Sequence, residues 1–185
     1  MKKRGQVSQF ILMGIVLLLA VFVVNYIQET TLFFRPSVVM PANVQPISQF
    51  IEECIEDQGT EALIIAGQQA GYINFPDFIA FNPAAYIPYG AIKLPYWYYN
   101  GQNIFPSLED IEEQLSSYLD TSLLTCFDDL NYFRKEFDIE IVKEPETIIV
   151  IGTKDVTINV EYFVTLTDKS NKTKTNLAEF IEVIP

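Results

Sequence analysis

The chain contains no histidine. That removes the commonest general base, the commonest metal ligand and any Ser–His or Cys–His nucleophile pair. Catalysis would have to rest on paired carboxylates or a Ser–Lys dyad. The chain therefore reads as a non-enzyme, with a carboxylate-based extracytoplasmic hydrolase as the alternative. Cations are scarce too, with twelve Lys and Arg against twenty-four Asp and Glu. Three of those cations, Lys2, Lys3 and Arg4, fall in the first four residues, and all the acids follow. A surface of that sign repels phosphate, which argues against nucleic acid and anionic headgroups as partners. It suits solubility in a salty or crowded exterior. Cysteine is limited to Cys54 and Cys126. They are too far apart for a CxxC motif and too few for a zinc site. No cofactor is implied.

Against these scarcities stands one long apolar run, Phe10 to Ile27, broken only by Gly14 as far as Val24. Eighteen helical residues rise ~27 Å, close to a hydrocarbon thickness of ~30 Å. Three cations precede the run and the first charge after it is Glu29. The positive-inside rule then puts Met1 in the cytoplasm and residues 28–185 outside the cell membrane, as a single-pass integral protein. A cleaved secretory signal would end in a small-x-small site, which Val23-Val24-Asn25-Tyr26 does not offer.

Arg4-Gly5-Gln6-Val7 sits ahead of the apolar segment instead. That placement resembles the class III signal of archaeal type IV pilin-like proteins, cut after the glycine, which makes Gly5 and Gln6 a candidate cleavage pair. Phe10 stands where pilins place a glutamate thought to help subunits enter the filament. The whole opening, with Phe50-Ile51-Glu52-Glu53-Cys54 and Pro95-Tyr96-Trp97-Tyr98-Tyr99 downstream, resembles a group of uncharacterised archaeal membrane-anchored proteins. The likeness extends to about Cys126 and brings no activity with it. The resemblance leaves two functions open. One is a membrane-anchored ectodomain with a binding or structural role, partnered by other cell-surface proteins. The other is a minor pilin or pilin-like subunit.

Three segments follow from the pattern: a basic tip and transmembrane anchor over 1–28, a Pro-containing tether over 29–46, and an extracytoplasmic α+β domain over 47–185. The chain stops at Pro185 directly after a strand, which suggests that the domain continues beyond it. Within the domain, Ile47, Phe50, Ile51, Cys54 and Ile55 mark one stripe of a helix that resumes past Gly59 to about Gln69. Residues 72–106 are dense in aromatics, Pro and Asn. Asn100-Gly101 predicts a type I′ hairpin pairing Leu94–Tyr99 with Gln102–Phe105, and Tyr72–Asn74 reads as a short strand. Ser107 with Asp110 predicts the capped start of a second helix whose apolar face carries Cys126. Beyond Arg134-Lys135 the period falls to two, predicting an antiparallel sheet of about four strands.

Both cysteines fall on core-facing stripes of separate helices, so a Cys54–Cys126 disulfide is predicted, with two buried thiols as the alternative. Tyr96, Trp97, Tyr98 and Tyr99 form a candidate ligand surface, unless these rings serve as core filler and cross-strand packing. The acidic runs Glu52-Glu53-x-x-Glu56-Asp57 and Glu109-Asp110-x-Glu112-Glu113 lack EF-hand spacing and read as solvated helix faces. Asn171-Lys172-Thr173 is a candidate N-glycosylation sequon in a turn.

Overall fold

A computed structural model describes residues 13–19, 21 and 40–185, residue 129 by its backbone alone. The chain divides into two units, Met1–Met40 and Pro41–Pro185. The first is helical over 13–19 and at Val21, with exposed apolar side chains such as Met13, Leu17 and Leu18. Among the described residues no helix is long and apolar enough to cross a membrane. Most of the run from Phe10 to Ile27, the Gly5/Gln6 pair and the tether up to residue 39 lie outside the described residues.

The second unit starts earlier than the hydrophobic period suggests. Pro41 to Val44 form a turn closed by Val44 N–H donating to Pro41 O, and Val44 is buried. Helix α1 then runs Gln45–Gln68, with Pro46 in its first turn, where a missing N–H costs nothing. Ile47, Ile51, Cys54, Ile55, Ala62 and Ala66 line its buried face. The helix passes through Gly59 without a break.

The middle of the chain is irregular. It holds a short helix α2 (Asp77–Ala80), a 3-10 turn at Pro83–Ala85 and two separate hairpins. Strands β1 (Tyr86–Tyr89) and β2 (Ile92–Pro95) form the first, and β3 (Tyr98–Tyr99) and β4 (Gln102–Asn103) the second. The Asn100-Gly101 turn is where the sequence places it, with both residues at positive φ, 50° and 82°. The strands around it are much shorter than predicted. Leu94 and Pro95 pair with Ile87 and Tyr86 instead, and Pro95, having no N–H to donate, ends its strand. Tyr72–Asn74 is not a strand, because the Ile73 and Asn74 N–H groups donate to the Gln114 side chain.

Helix α3 (Leu108–Phe127) opens with the predicted capping box. Ser107 Oγ accepts from Asp110 N–H, and the Asp110 carboxylate accepts from Ser107 N–H. A 3-10 segment, Asp128–Lys135, leads into a three-stranded antiparallel sheet ordered β5 (Phe137–Ile151), β6 (Val156–Asp168), β7 (Lys174–Ile184). The architecture is α+β, as predicted, but the sheet has three strands where about four are expected. The reason is local. Phe137–Ile141 and Thr147–Ile151 look like two strands separated by the Glu144-Pro145 interruption. In the fold they are one strand with two register shifts, between Ile141 and Lys143 and between Lys143 and Glu146. Pro145 is tolerated there because β5 is an edge strand with its ladder already interrupted.

Helices α1 and α3 cover one face of the sheet, α1 against β7 and α3 against β5. Ile158, Val160, Tyr162, Val164 and Leu166 of β6 point into that layer, at period two. The opposite face leaves Ile148, Val150, Ile181 and Val183 exposed.

Two polar features of this core carry predictions. Asp120 Oδ1 accepts from Thr147 N–H at 2.7 Å, and Glu112 Oε1 accepts from Ile151 N–H at 2.8 Å. Two carboxylates of α3 thus satisfy donors on the otherwise open edge of β5, which blunts that edge as a template for another strand. Asp120→Ala is expected to cost about 2 kcal/mol, the worth of a charge-assisted bond plus the unpaired N–H it leaves. Urea denaturation checks this, and an unchanged midpoint would mean that water replaces the carboxylate without loss. Tyr162 presents the opposite case. Its ring stacks on Phe127 with centroids 4.5 Å apart, yet its buried hydroxyl has no hydrogen-bond partner among the described residues. Burial pushes this phenol up to about 12, with Arg134 opposing and Asp128 reinforcing the shift. Tyr162→Phe keeps the ring and removes the unpaired group, so it is expected to stabilise the fold by about 1 kcal/mol. A loss of stability in the same denaturation experiment would show that the hydroxyl has a partner.

Candidate functional site

Between the end of α1, the start of α3 and the β3–β4 hairpin lies a groove of about 860 Å³. This falls within the ~300–1,000 Å³ typical of ligand sites. One wall is the segment after α1, which turns sharply at Ala70 (φ 57°) and Gly71 (φ 96°). A Cβ on Gly71 would lie 2.9 Å from Pro106 Cγ, so both the backbone angle and the space require glycine there. Gln114 holds this wall in place. Its Oε1 accepts from the Ile73 and Asn74 N–H groups, each at 3.1 Å, and its Nε2 donates to Asp110 O at 3.2 Å. The buried Tyr72 hydroxyl donates to Ile104 O and so ties the first wall to the chain leaving β4. Burial raises the Tyr72 pKa, and the Asp110 charge adds to it.

The opposite wall is the hairpin turn with Asn82 behind it. Asn82 Oδ1 accepts from Ala84 N–H at 3.2 Å, and its amide reaches the Tyr99 hydroxyl at 3.5 Å. Phe75, Phe78, Tyr99 and Phe105 supply aromatic surface. Asn74, Gln102 and Asn103 supply side-chain amides that no other group in the described residues engages. Asp110 and Glu113 are the charged lining residues, and no Lys or Arg joins them. Hydrogen bonds from the Ser107 hydroxyl and N–H hold the Asp110 carboxyl below its ordinary pKa. A general acid needs the reverse, a carboxyl kept protonated by its surroundings.

A second, more apolar hollow of about 480 Å³ adjoins the groove, lined by Gly67, Ala70, Gly71, Trp97, Phe105, Pro106 and Ile111. Phe105 and Pro106 belong to both. Trp97 Nε1 donates to Ala70 O at 3.2 Å, and its ring lies 6.4 Å from Phe105.

The candidate surface Tyr96–Tyr99 is therefore split rather than gathered. Tyr99 lines the groove, Trp97 lines the hollow, and Tyr96 and Tyr98 line neither. The rings are open rather than core filler: Trp97 and Tyr98 are 61% and 66% exposed. The sequence did not single out Asn74, Gln102, Asn103 or Gln114. The available signal was the density of Asn and Gln among the aromatics, which does not say which of them face one another. Cys54 and Cys126 form a disulfide with Cα atoms 6.1 Å apart, as expected from their two inner stripes. Asn171 sits exposed in the β6–β7 turn, its Oδ1 accepting from Thr173 N–H at 2.9 Å. Among the described residues no three acidic or cysteine side chains converge as a metal ion requires. No protein-family model, curated protein or solved structure matches the chain, so the chemistry of the groove is read from its own residues.

Proposed function

We propose that the chain is a single-pass, membrane-anchored cell-surface protein whose acidic ectodomain binds a ligand in the groove between α1, α3 and the β3–β4 hairpin. The groove carries the binding half of this reading. Its walls are fixed by Gln114, Tyr72 and the Ser107–Asp110 capping box, while its aromatic and amide side chains remain open. A rigid frame around unengaged recognition groups is the preorganisation that binding favours. The anchor half rests on the basic tip and the apolar run from Phe10 to Ile27, with the exposed apolar helix over 13–19 in support. The Cys54–Cys126 disulfide suits an oxidising exterior.

Protease added to intact cells tests the topology. The expected result is loss of the ectodomain with the cytoplasmic tip protected, and full protection of the chain would refute it. Asn171 is then accessible to glycosylation machinery, readable as added mass on the peptide that contains it. A second reading, a minor pilin or pilin-like subunit, rests on Arg4-Gly5-Gln6-Val7. Intact-mass analysis of the native protein separates the two in part. A chain starting at Met1 excludes the pilin route, and one starting at Gln6 directs the search to filaments.

A further inference from the structure

The chemistry of the groove narrows the class of ligand, an inference that rests on the binding role just proposed. We infer that the groove takes a neutral, polyhydroxylated chain, that is, an uncharged glycan segment.

Charge excludes the anionic alternatives first. Asp110 and Glu113 line the groove with no lining cation to offset them. Lys93 is close by, but its ammonium lies over the Tyr86 and Phe75 rings and donates to Ala80 O. A phosphorylated, sulfated or uronate ligand would therefore meet like charge and find no partner.

The polar groups then match hydroxyls. Asn74, Gln102 and Asn103 each offer a carbonyl acceptor and an NH2 donor on one rigid plane. A sugar hydroxyl is likewise donor and acceptor at once, so neighbouring hydroxyls can bond both ends of one amide. Phe78 and Phe105, each about half exposed, offer flat apolar faces for the C–H side of a pyranose ring.

An extended peptide fits less well, because it would need free backbone groups on a strand edge. Four of those along these walls are already engaged. Ile73 and Asn74 N–H bond Gln114, Ile104 O accepts from Tyr72, and Ile104 N–H donates to Trp97 O. That shifts recognition towards the side chains, which suits a saccharide.

The test uses the full-length protein in a detergent without a sugar headgroup, since glycoside detergents would compete. Calorimetry and the fluorescence of Trp97, the one tryptophan in the chain, follow titration with four neutral hexasaccharides. These are the α-glucan, β-glucan, β-mannan and N-acetylglucosamine hexamers. A hexamer of galacturonic acid and a proline-rich decapeptide are titrated in parallel. Saturable binding of at least one neutral hexamer is expected, with no binding of the uronate. Gln102→Ala/Asn103→Ala and Phe78→Ala are each expected to weaken it about tenfold, while Tyr132→Ala, on the exposed 3-10 segment, leaves it unchanged. All of these side chains are exposed, so the variants should fold, and circular dichroism verifies that. Peptide or uronate binding without hexamer binding overturns the glycan assignment. If the groove variants abolish that binding, the groove survives as a site for another ligand. Hexamer binding that ignores the variants overturns the assignment by placing the site elsewhere. Absence of binding to every probe overturns it as well.

Discussion

Replacing Cys54 and Cys126 together by alanine is expected to lower the thermal midpoint by roughly 10–15 °C, from a loss of about 4 kcal/mol. The disulfide joins α1 to α3 across a sequence separation of 72, a span that contains every residue of the groove. In the chain-entropy account, removing it frees that whole segment in the unfolded state, and a long loop gains more freedom than a short one. Between the two helices the segment has little regular structure. Its hairpins have strands of two to four residues, and many of its aromatic side chains face solvent. Alanine is the replacement of choice because Cys54 is only 4% exposed, and serine there would bury a hydroxyl. Thermal unfolding with and without reductant makes the comparison. Reductant should move the wild type towards the double variant and leave the variant itself unchanged. Equal midpoints for the two proteins without reductant, with two titratable thiols in the wild type, would show that the bond does not form.

Gly59→Leu is expected to destabilise by about 3 kcal/mol, at the upper end for overpacking. A Cβ at this position would clash with Ile158 Cδ1 of β6 and lie 3.0 Å from Ile184 Cδ1 of β7. Gly59 therefore faces the sheet with no room to spare, and a longer side chain must push the helix away from a layer that includes the fully buried Ile55 and Ile158. Gly59→Ala is the informative control. Its single methyl meets the far ends of two isoleucine side chains, which can rotate. Alanine also gains about 1 kcal/mol of helix propensity over glycine. The two effects oppose, and a net change within about 0.5 kcal/mol is expected by urea denaturation. If leucine were tolerated as well as alanine, the close approach would have no energetic weight.

Gly59 also shows where sequence reasoning reaches its limit. From the pattern alone it is a candidate break, because glycine lowers helix propensity. The helix continues because the absence of a side chain is what the sheet requires. The strand count turns on the same contrast. Phe137–Ile141 and Thr147–Ile151 read as two strands, yet one edge strand with two register shifts absorbs the residues between them, a matter of pairing rather than of local preference. Asp120 and Glu112 look like ordinary solvated acids on a helix face. Their role at the β5 edge appears only once α3 lies beside that strand.

Some features were readable directly because a local rule governs them. The Ser107–Asp110 capping box, the Asn100-Gly101 turn and the inner stripes of the two long helices depend on residues within a few positions of one another. The cysteine pairing followed from two such stripes, since helices that bury their apolar faces in one core bring those faces together. The groove was legible only as a composition, aromatic and amide residues crowded into one stretch. Which of them meet was decided by long-range bonds that local spacing does not encode, from Gln114 to the 73–74 backbone and from Tyr72 to Ile104. The α+β class, the two core helices and the acidic, histidine-free character of the chain follow from the sequence alone, which also points to the Cys54–Cys126 pairing. Only the tertiary structure decided the three-stranded sheet, the need for glycine at 59 and the groove. Each of these depends on which distant surfaces pack together, and a hydrophobic period says that a face is buried without saying against what.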